Sequence, residues 1–238
     1  MIVVILMFGA SLMSFLMQVS EHKVLKISML WNRSRCQKCY HTIACYDLIP
    51  IFSFLILKGR CRHCGTTIPL QLFIAELLGA FLLILPIYLA LDIYLSYFYL
   101  ISLILLTLSF IDIQDLIVPH RWLLLLVFCL VGLGMFNHIT ISQLLLSAVL
   151  LVFGMIFPNF IGFGDIKLLM ILALALPFNF MVLLLLILFP IALLLLPFYY
   201  LFKLVHFPII PLVPSIFLSF IIISIMFKQF LFYFGGIL

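Results

Sequence analysis

Charge is what this chain has least of. Only seven of its 238 residues are Asp or Glu, and charged residues of both signs make up 8%. A soluble domain of this length cannot cover its surface with so little charge, so that class is excluded. No glycine-rich loop follows a strand-like segment, so the usual cradle for a nucleotide phosphate is missing. No repeat of solenoid period and no low-complexity tail occurs. What is present is apolar: 68% of residues are hydrophobic, and several runs reach the ~20 residues that cross a bilayer as a helix. The class is an all-α polytopic membrane protein with one polar insertion. The net charge of +5 calls for no nucleic-acid partner, because most of it sits in one loop, as the positive-inside bias places it.

Residues 2–19 form the first apolar run. No basic residue precedes it and no small-residue cleavage site follows, so the expectation is an uncleaved helix. Segment 20–69 differs in kind. It holds eight of the twelve Lys and Arg residues and five of the six cysteines. Further spans are expected at about 70–91, 94–113, 121–137, 141–157, 166–178, 180–202 and 212–234, which makes eight. Breaks fall at Asp92, Pro119-His120, Asn137-His138, Pro158-Asn159, Pro177 and the Pro208/Pro211/Pro214 cluster. Three segments result: a first transmembrane helix at 1–19, a cytoplasmic cysteine domain at 20–69 and a membrane domain at 70–238. With 20–69 in the cytoplasm, strict alternation also places Arg121, Lys167 and Lys203 inside. Lys228 is then the one exception among the twelve, near an outer helix end from which it can snorkel.

Two CxxC pairs, Cys36/Cys39 and Cys61/Cys64, stand 21 residues apart. Each pair can place two thiolates on one ion, and together they complete a closed tetrahedral site of the kind zinc occupies structurally. The same spacing also admits metal-free thiols, or disulfides if the orientation is reversed. Cys45 and Cys129 lack a partner at ligand spacing and read as apolar residues. His41 and His63 read as loop surface.

Gly162-Phe-Gly-Asp165-Ile-Lys167 places an acid just after two glycines at the start of an apolar run, and Asp112 closes another. Ionisable residues at a span are functional candidates by default, since burying charge is costly. Two carboxyls close enough to share a proton can activate water and polarise a carbonyl. The bland reading makes each a hydrated helix-end acid, with Asp165 paired to Lys167. Asp115 lies three residues after Asp112 and spacing alone does not exclude it. Asp92 falls on the external side and Asp47 in the cytoplasmic loop. Glu76 sits about two turns into its helix. It reads equally as a functional acid or as a hydrogen-bonded packing residue.

These motifs, in this order, resemble the type IV prepilin peptidases, the leader peptidase/N-methyltransferase family of bacterial inner membranes. Ser14-Phe15 is similar to a family element of the first helix. Cys36-Gln-Lys-Cys39, Leu48-Ile-Pro-Ile-Phe-Ser53 and Lys58-Gly-Arg-Cys-Arg-His-Cys64 resemble its cysteine domain, and Glu76-Leu-Leu-Gly79 the stretch that follows. Ile111-Asp112, with Pro119 downstream, and Gly162–Lys167 match its two catalytic motifs. The chain departs from the family at His120, usually an acid, at Val213, usually glycine, and in lacking Asn and Arg after Ser14-Phe15.

The resemblance implies that Asp112 and Asp165 are the catalytic aspartates and that Asp115 is not. It implies prepilin and pseudopilin substrates, from adhesion, secretion or DNA-uptake systems, cut after a glycine at the cytoplasmic face. It further implies S-adenosylmethionine-dependent methylation of the new N-terminus, with Gly59 at a methylation-associated position, and zinc on the four cysteines. Three rivals stand beside it: a peptidase without methyl transfer, a proton-coupled transporter relaying through Asp112, Asp165 and Glu76, and a membrane scaffold.

Overall fold

The computed structural model describes residues 1–21, 33–36, 38–137, 139–157, 161–201 and 210–234. The expected breaks at His138, Pro158-Asn159 and Pro208, and the basic residues Lys23, Lys26 and Lys203, lie outside these. The described helices are α1 (Ile2–Glu21), α2 (Phe52–Ile56), α3 (Leu70–Tyr88), α4 (Leu95–Asp115), α5 (His120–Gly132), α6 (Ile141–Ile156), α7 (Phe163–Ala175), α8 (Phe178–Leu201) and α9 (Val213–Phe234). A 3₁₀ turn spans Cys45–Leu48. Each of the eight expected spans holds a helix. Five of them (α1, α3, α4, α8 and α9) are long and apolar enough to cross a membrane.

The other three are shorter, at 13, 16 and 13 residues, and local chemistry explains their ends. At the end of α5, Gly134 takes φ +73°. The amides of Gly134 and Met135 then return to the carbonyls of Val131 and Leu130 at 2.9 and 3.1 Å, the glycine-terminated helix stop. A reciprocal cap between Thr140 and Gln143 opens α6. Helix α7 stops because Pro177 forces Leu176 into extended backbone.

Contacts divide the chain into two units, Met1–Tyr88 and Leu89–Leu238. In the first, α1 packs on α3 through glycines. A Cβ at Gly79 would lie 2.5 Å from Met13 Cβ, and one at Gly9 would lie 2.6 Å from the Gly79 carbonyl oxygen. Small residues permit this approach, and in lipid such packing is what holds helices together.

In the second unit, α4 is the central element. Every residue from Ile101 to Asp112 is buried, as expected for a helix that is apolar all round. Its buried Thr107 and Ser109 hydroxyls donate back to the Leu103 and Leu105 carbonyls, so no polar group is left open to lipid. Helix α9 packs antiparallel to α4. Phe98 stacks on Phe220 with centroids 6.2 Å apart, and Phe180 of α8 meets Phe220 at 5.9 Å. At one end of this pair the Lys228 Nζ lies 3.0 Å from Asp92 Oδ1, and the Lys228 amide donates to Asp92 Oδ2 at 2.9 Å. The lysine that charge alternation left as an exception therefore has a counter-ion in the acid expected on the same side. Helices α6 and α7 interlock where Gly154 meets Ile166 and where Gln143 Nε2 donates to the Leu176 carbonyl at 2.7 Å.

Candidate active site and cysteine centre

Helix α4 runs two residues past the expected end at 113 and stops at Leu116, which takes left-handed backbone (φ 54°) and returns its amide to the Asp112 carbonyl. This reversal sends Ile117–Pro119 across to the start of α7. There Val118 lies against Gly164: a Cβ on Gly164 would stand 3.0 Å from Val118 Cβ. A Cβ on Gly162 would stand 3.0 Å from Asp165 Oδ2. The two glycines before Asp165 thus relieve crowding for different reasons, one against the connection after α4 and one against the carboxylate itself.

Asp112 and Asp165 are 4% and 9% exposed. Each lies within electrostatic range of the other. The backbone amide of Val213, at the start of α9, donates to Asp112 Oδ2 at 3.0 Å. Asp165 occupies the first turn of α7, where the helix dipole favours a carboxylate. Its Oδ1 is buried and has no hydrogen-bond partner among the described residues. Buried polar atoms are nearly always bonded, which sets this oxygen apart among the described residues. Asp115, one turn on, is exposed. Lys167 does not pair with Asp165 in the structure; its Nζ sits 4.8 Å over the Phe163 ring.

Sequence reasoning did not find Val213 as a hydrogen-bond donor. Its contribution comes from the backbone, so residue type carries no signal of it. Tyr199 was missed as well. It lies in the apolar run of α8, where an aromatic reads as ordinary core, yet its buried hydroxyl has no hydrogen-bond partner among the described residues.

In the first unit the two CxxC segments repeat one local design. The Cys36 amide donates to the His41 carbonyl at 3.0 Å, and the Cys61 amide to the Thr66 carbonyl at 2.8 Å. The amides of Tyr40 and Gly65 return to the carbonyls of Cys36 and Cys61. Both of those residues adopt positive φ, 56° and 68°. Single bridges, Arg35–Thr42 and Arg60–Thr67, close the two turns.

The four thiol sulfurs lie within 4.8 Å of one another, with Cys36 and Cys64 Sγ 3.7 Å apart. Zinc–sulfur bonds of about 2.3 Å in a tetrahedron put sulfurs about 3.8 Å apart, so the donor set fits a four-thiolate ion. The Thr66 hydroxyl and amide beside Cys64 pull its thiol down to about 6, toward the thiolate that binds metal.

Outside the cluster, Cys45 accepts a contact from Arg33 at 3.6 Å. His41 and His63 are exposed and lie against each other with their rings tilted by 43° and their centroids 3.6 Å apart. Arg62 grips Asp47 through two hydrogen bonds of 2.6 and 2.9 Å, and this guanidinium holds the Asp47 carboxyl below its usual range.

Three motifs that stand far apart in sequence converge on Glu76. The Ile51 amide donates to Glu76 Oε2 at 2.7 Å, and Ser14 of α1 also bonds this carboxylate. Ile51 holds φ 65°, a costly conformation for a β-branched residue, and the carboxylate fastens it there. Glu76 is thereby a hydrogen-bonded anchor for the turn before α2. Gly59, at φ 67°, faces the Phe54 ring. A cavity of about 510 Å³ opens between α1 and the cysteine segments, lined among others by Ser14, Gln18, Arg35, Lys38, Arg62 and Thr66.

Residues 7–90 match the Bacterial Peptidase A24 N-terminal domain, and residues 99–227, more than half of the chain, match the Type IV leader peptidase family. A prepilin leader peptidase/N-methyltransferase of Vibrio cholerae is 41% identical over 91 residues, covering 37% of this chain and 36% of that protein. One from Dichelobacter nodosus is 31% identical over 156 residues, covering 60% and 54%. A type 4 prepilin-like proteins leader peptide-processing enzyme of Escherichia coli is 47% identical over 55 residues, covering 23% and 20%. The chain thus spans about half or less of the length of these relatives. No solved structure matches it. The first match lies in the first unit but for its last two residues, and the second lies in the second unit and contains both buried aspartates: the chain belongs to the type IV leader peptidase family.

Proposed function

We propose that the protein is a membrane-embedded aspartic endopeptidase that removes the leader from type IV prepilin-like proteins at the cytoplasmic face. The observation that carries this reading is the buried pair, Asp112 anchored by the Val213 amide and Asp165 with an unpartnered oxygen. Two carboxyls sharing a site cannot both be ionised and so hold one proton between them. The ionised carboxylate takes a proton from water, the water oxygen bonds to the scissile carbonyl carbon, and the carboxylic acid hydrogen-bonds the carbonyl oxygen. Collapse breaks the carbon–nitrogen bond, and the departing amine receives a proton from the pair. Amide and water become acid and amine. The basic excess of segment 20–69 supports placing this end of the helices inside the cell.

The second half of the proposal is methylation of the new N-terminus, located in the first unit. The relatives' names include that activity, and the cavity beside the cysteine segments is of ligand size. Its lining carries both signs of charge, Glu21 and Asp47 along with Arg35 and Lys38, which fits a ligand with a carboxylate and cationic groups such as S-adenosylmethionine. When bound, that cofactor would supply a methyl group to an amine. The proposed division of labour is a first helix at 1–19, a zinc-held cysteine domain at 20–69 and a peptidase domain at 70–238.

The test uses the purified full chain in lipid nanodiscs, a peptide with a basic leader ending in glycine, and label in the cofactor's methyl group. Mass spectrometry should show cleavage after the glycine and label on the new N-terminus. Cleavage without label establishes a peptidase alone. No cleavage by folded, zinc-loaded protein would reject the proposal and favour a proton-coupled transporter.

The glycines give a separate prediction. Gly162→Ala and Gly164→Ala each push an added methyl into a contact of 3.0 Å, on Asp165 Oδ2 and on Val118 Cβ. A displacement near 1 Å at reacting groups costs on the order of 10²-fold. Relieving a 3.0 Å contact takes only a few tenths of an ångström, so cleavage should fall by less than that factor, about several-fold, with the thermal transition little changed. Full activity in either variant would show that Asp165 tolerates displacement.

A further inference from the structure

We propose that residues 48–57 dip into the bilayer beside α1 and α3, and that the exposed face of α2 is covered by phospholipid acyl chains rather than by water. The proposal rests on α1 and α3 spanning the membrane and not on the peptidase chemistry. These helices have 20 and 19 residues, about 30 and 28 Å of helix. Each is only just long enough to cross a hydrocarbon core of about 30 Å. They run antiparallel, with Gly9 against Gly79 and Ser14 on Glu76. Glu76 lies six positions inside the start of α3, and Ser14 seven positions inside the end of α1. At about 1.5 Å per residue, both rulers put the Glu76 level about 9–10 Å inward from the helix ends. The Ile51 amide reaches this carboxylate at 2.7 Å, and the Phe54 ring stacks on Phe73 of α3 with centroids 4.6 Å apart. The turn and α2 therefore sit at the depth of the acyl chains.

The segment is built for that depth. Leu48–Leu57 is a ten-residue stretch without a charged side chain, too short to span and of the length of re-entrant elements. Irregular backbone is tolerated among acyl chains only where protein covers it. Here Pro50 is buried, and the amides of Ile51, Phe52 and Ser53 donate to Glu76, Pro50 and Ile49. What faces outward is the helix, through Phe52, Leu55 and Ile56, which are 54%, 57% and 72% exposed. Spaced i, i+3 and i+4, they share one face, an apolar surface of the kind that marks membrane contact. Lys58 and Arg60, both exposed, follow at once, where the chain returns to the level of the headgroups. The two ends of the segment, Leu48 and Leu57, line the cavity of the first unit, which is thereby held against the leaflet.

The test is photo-cross-linking in the full, zinc-loaded chain, reconstituted in nanodiscs of phosphatidylethanolamine and phosphatidylglycerol. Benzoylphenylalanine takes the place of Phe52 or Ile56. Phe81, 60% exposed on α3, is the lipid-facing control, and Tyr40, 73% exposed on the first cysteine turn, is the water-facing one. After irradiation, mass spectrometry should find acyl-chain adducts at 52 and 56 in yields like those at 81 and several-fold above those at 40. Adducts at 81 with none at 52 or 56, or equal yields at 40 and 52, overturn the proposal. A second arm tests the anchor. Glu76→Gln keeps an acceptor for the Ile51 amide and should retain the adducts at 52. Glu76→Leu removes the acceptor and should lower them several-fold while those at 81 persist. Undiminished adducts at 52 in Glu76→Leu overturn the depth assigned through this carboxylate. Leader cleavage enters neither arm, so the outcome stands apart from that of the aspartate reading.

Discussion

Asp112→Asn and Asp165→Asn should each abolish leader cleavage, and Asp115→Asn should leave most of it. The replacement is nearly isosteric, so the amide of Val213 can still meet a carbonyl oxygen at position 112 and α7 can still begin at Gly162. What is lost is the proton chemistry. An asparagine neither holds the shared proton nor takes one from water, and general acid–base catalysis alone is worth about 10²–10⁴. Losing one member of a pair that acts as a unit also idles the other, so the two single variants and the double should be about equally inactive. Asp115 is exposed one turn beyond the buried pair, where water already solvates its charge. In the wild type the rate should follow a bell-shaped pH profile whose limbs belong to the pair rather than to either residue. Initial rates of leader release by each purified variant, across pH, provide the check. Efficient cleavage by folded Asp165→Asn protein would remove the aspartyl mechanism.

The second large effect is expected at the cysteines. Cys61→Ser should drop bound zinc from about one per chain to a small fraction and leave residues 33–66 open to protease. The reason is how little else holds this segment. Its described regular structure is one 3₁₀ turn, one five-residue helix and two isolated bridges, too little to bury an apolar core. In such modules the free energy of metal binding is the free energy of folding, about 10–16 kcal/mol in small zinc peptides. The twin turns bring Cys36 and Cys64 together across 28 positions of sequence, a closure that an ion can sustain and a few hydrogen bonds cannot. Metal analysis and limited proteolysis of wild type and variant test this. Methyl transfer should fall with the zinc. Cleavage should persist in whatever folded protein remains, since no metal-bound water takes part. Wild-type protein purified without chelator and free of zinc would contradict the assignment.

Much of this was legible in advance because lipid imposes simple rules. Long apolar runs must be helices, and every expected span contains one. The CxxC spacing announced four convergent thiols because each pair is a local turn whose geometry scarcely depends on the rest of the fold. The glycines before Asp165 announced a close approach, though not that Val118 makes it. What stayed hidden was whatever depends on which helix lies beside which. Glu76 read equally as a functional acid or a packing residue until Ile51 and Ser14 were seen to converge on it. The lengths of α5, α6 and α7 escaped because hydropathy averages across caps and stops. Tyr199 escaped because an aromatic in a run of leucines announces its ring and conceals its oxygen.

The antiparallel pair of α4 and α9 is pinned at two points, Val213 on Asp112 and Lys228 on Asp92. The pins stand fifteen positions apart on α9, and an α-helix advances about 1.5 Å and turns about 100° with each residue. The two contacts thus work as a vernier. Adding or deleting a single residue between them cannot satisfy both marks, because the helix that keeps its lysine on Asp92 must swing its first amide away from Asp112. Alignment at the reacting end is in this way indexed by an ion pair at the far end of the same helix, and the number of residues from 213 to 228 belongs to the site as much as any side chain within it.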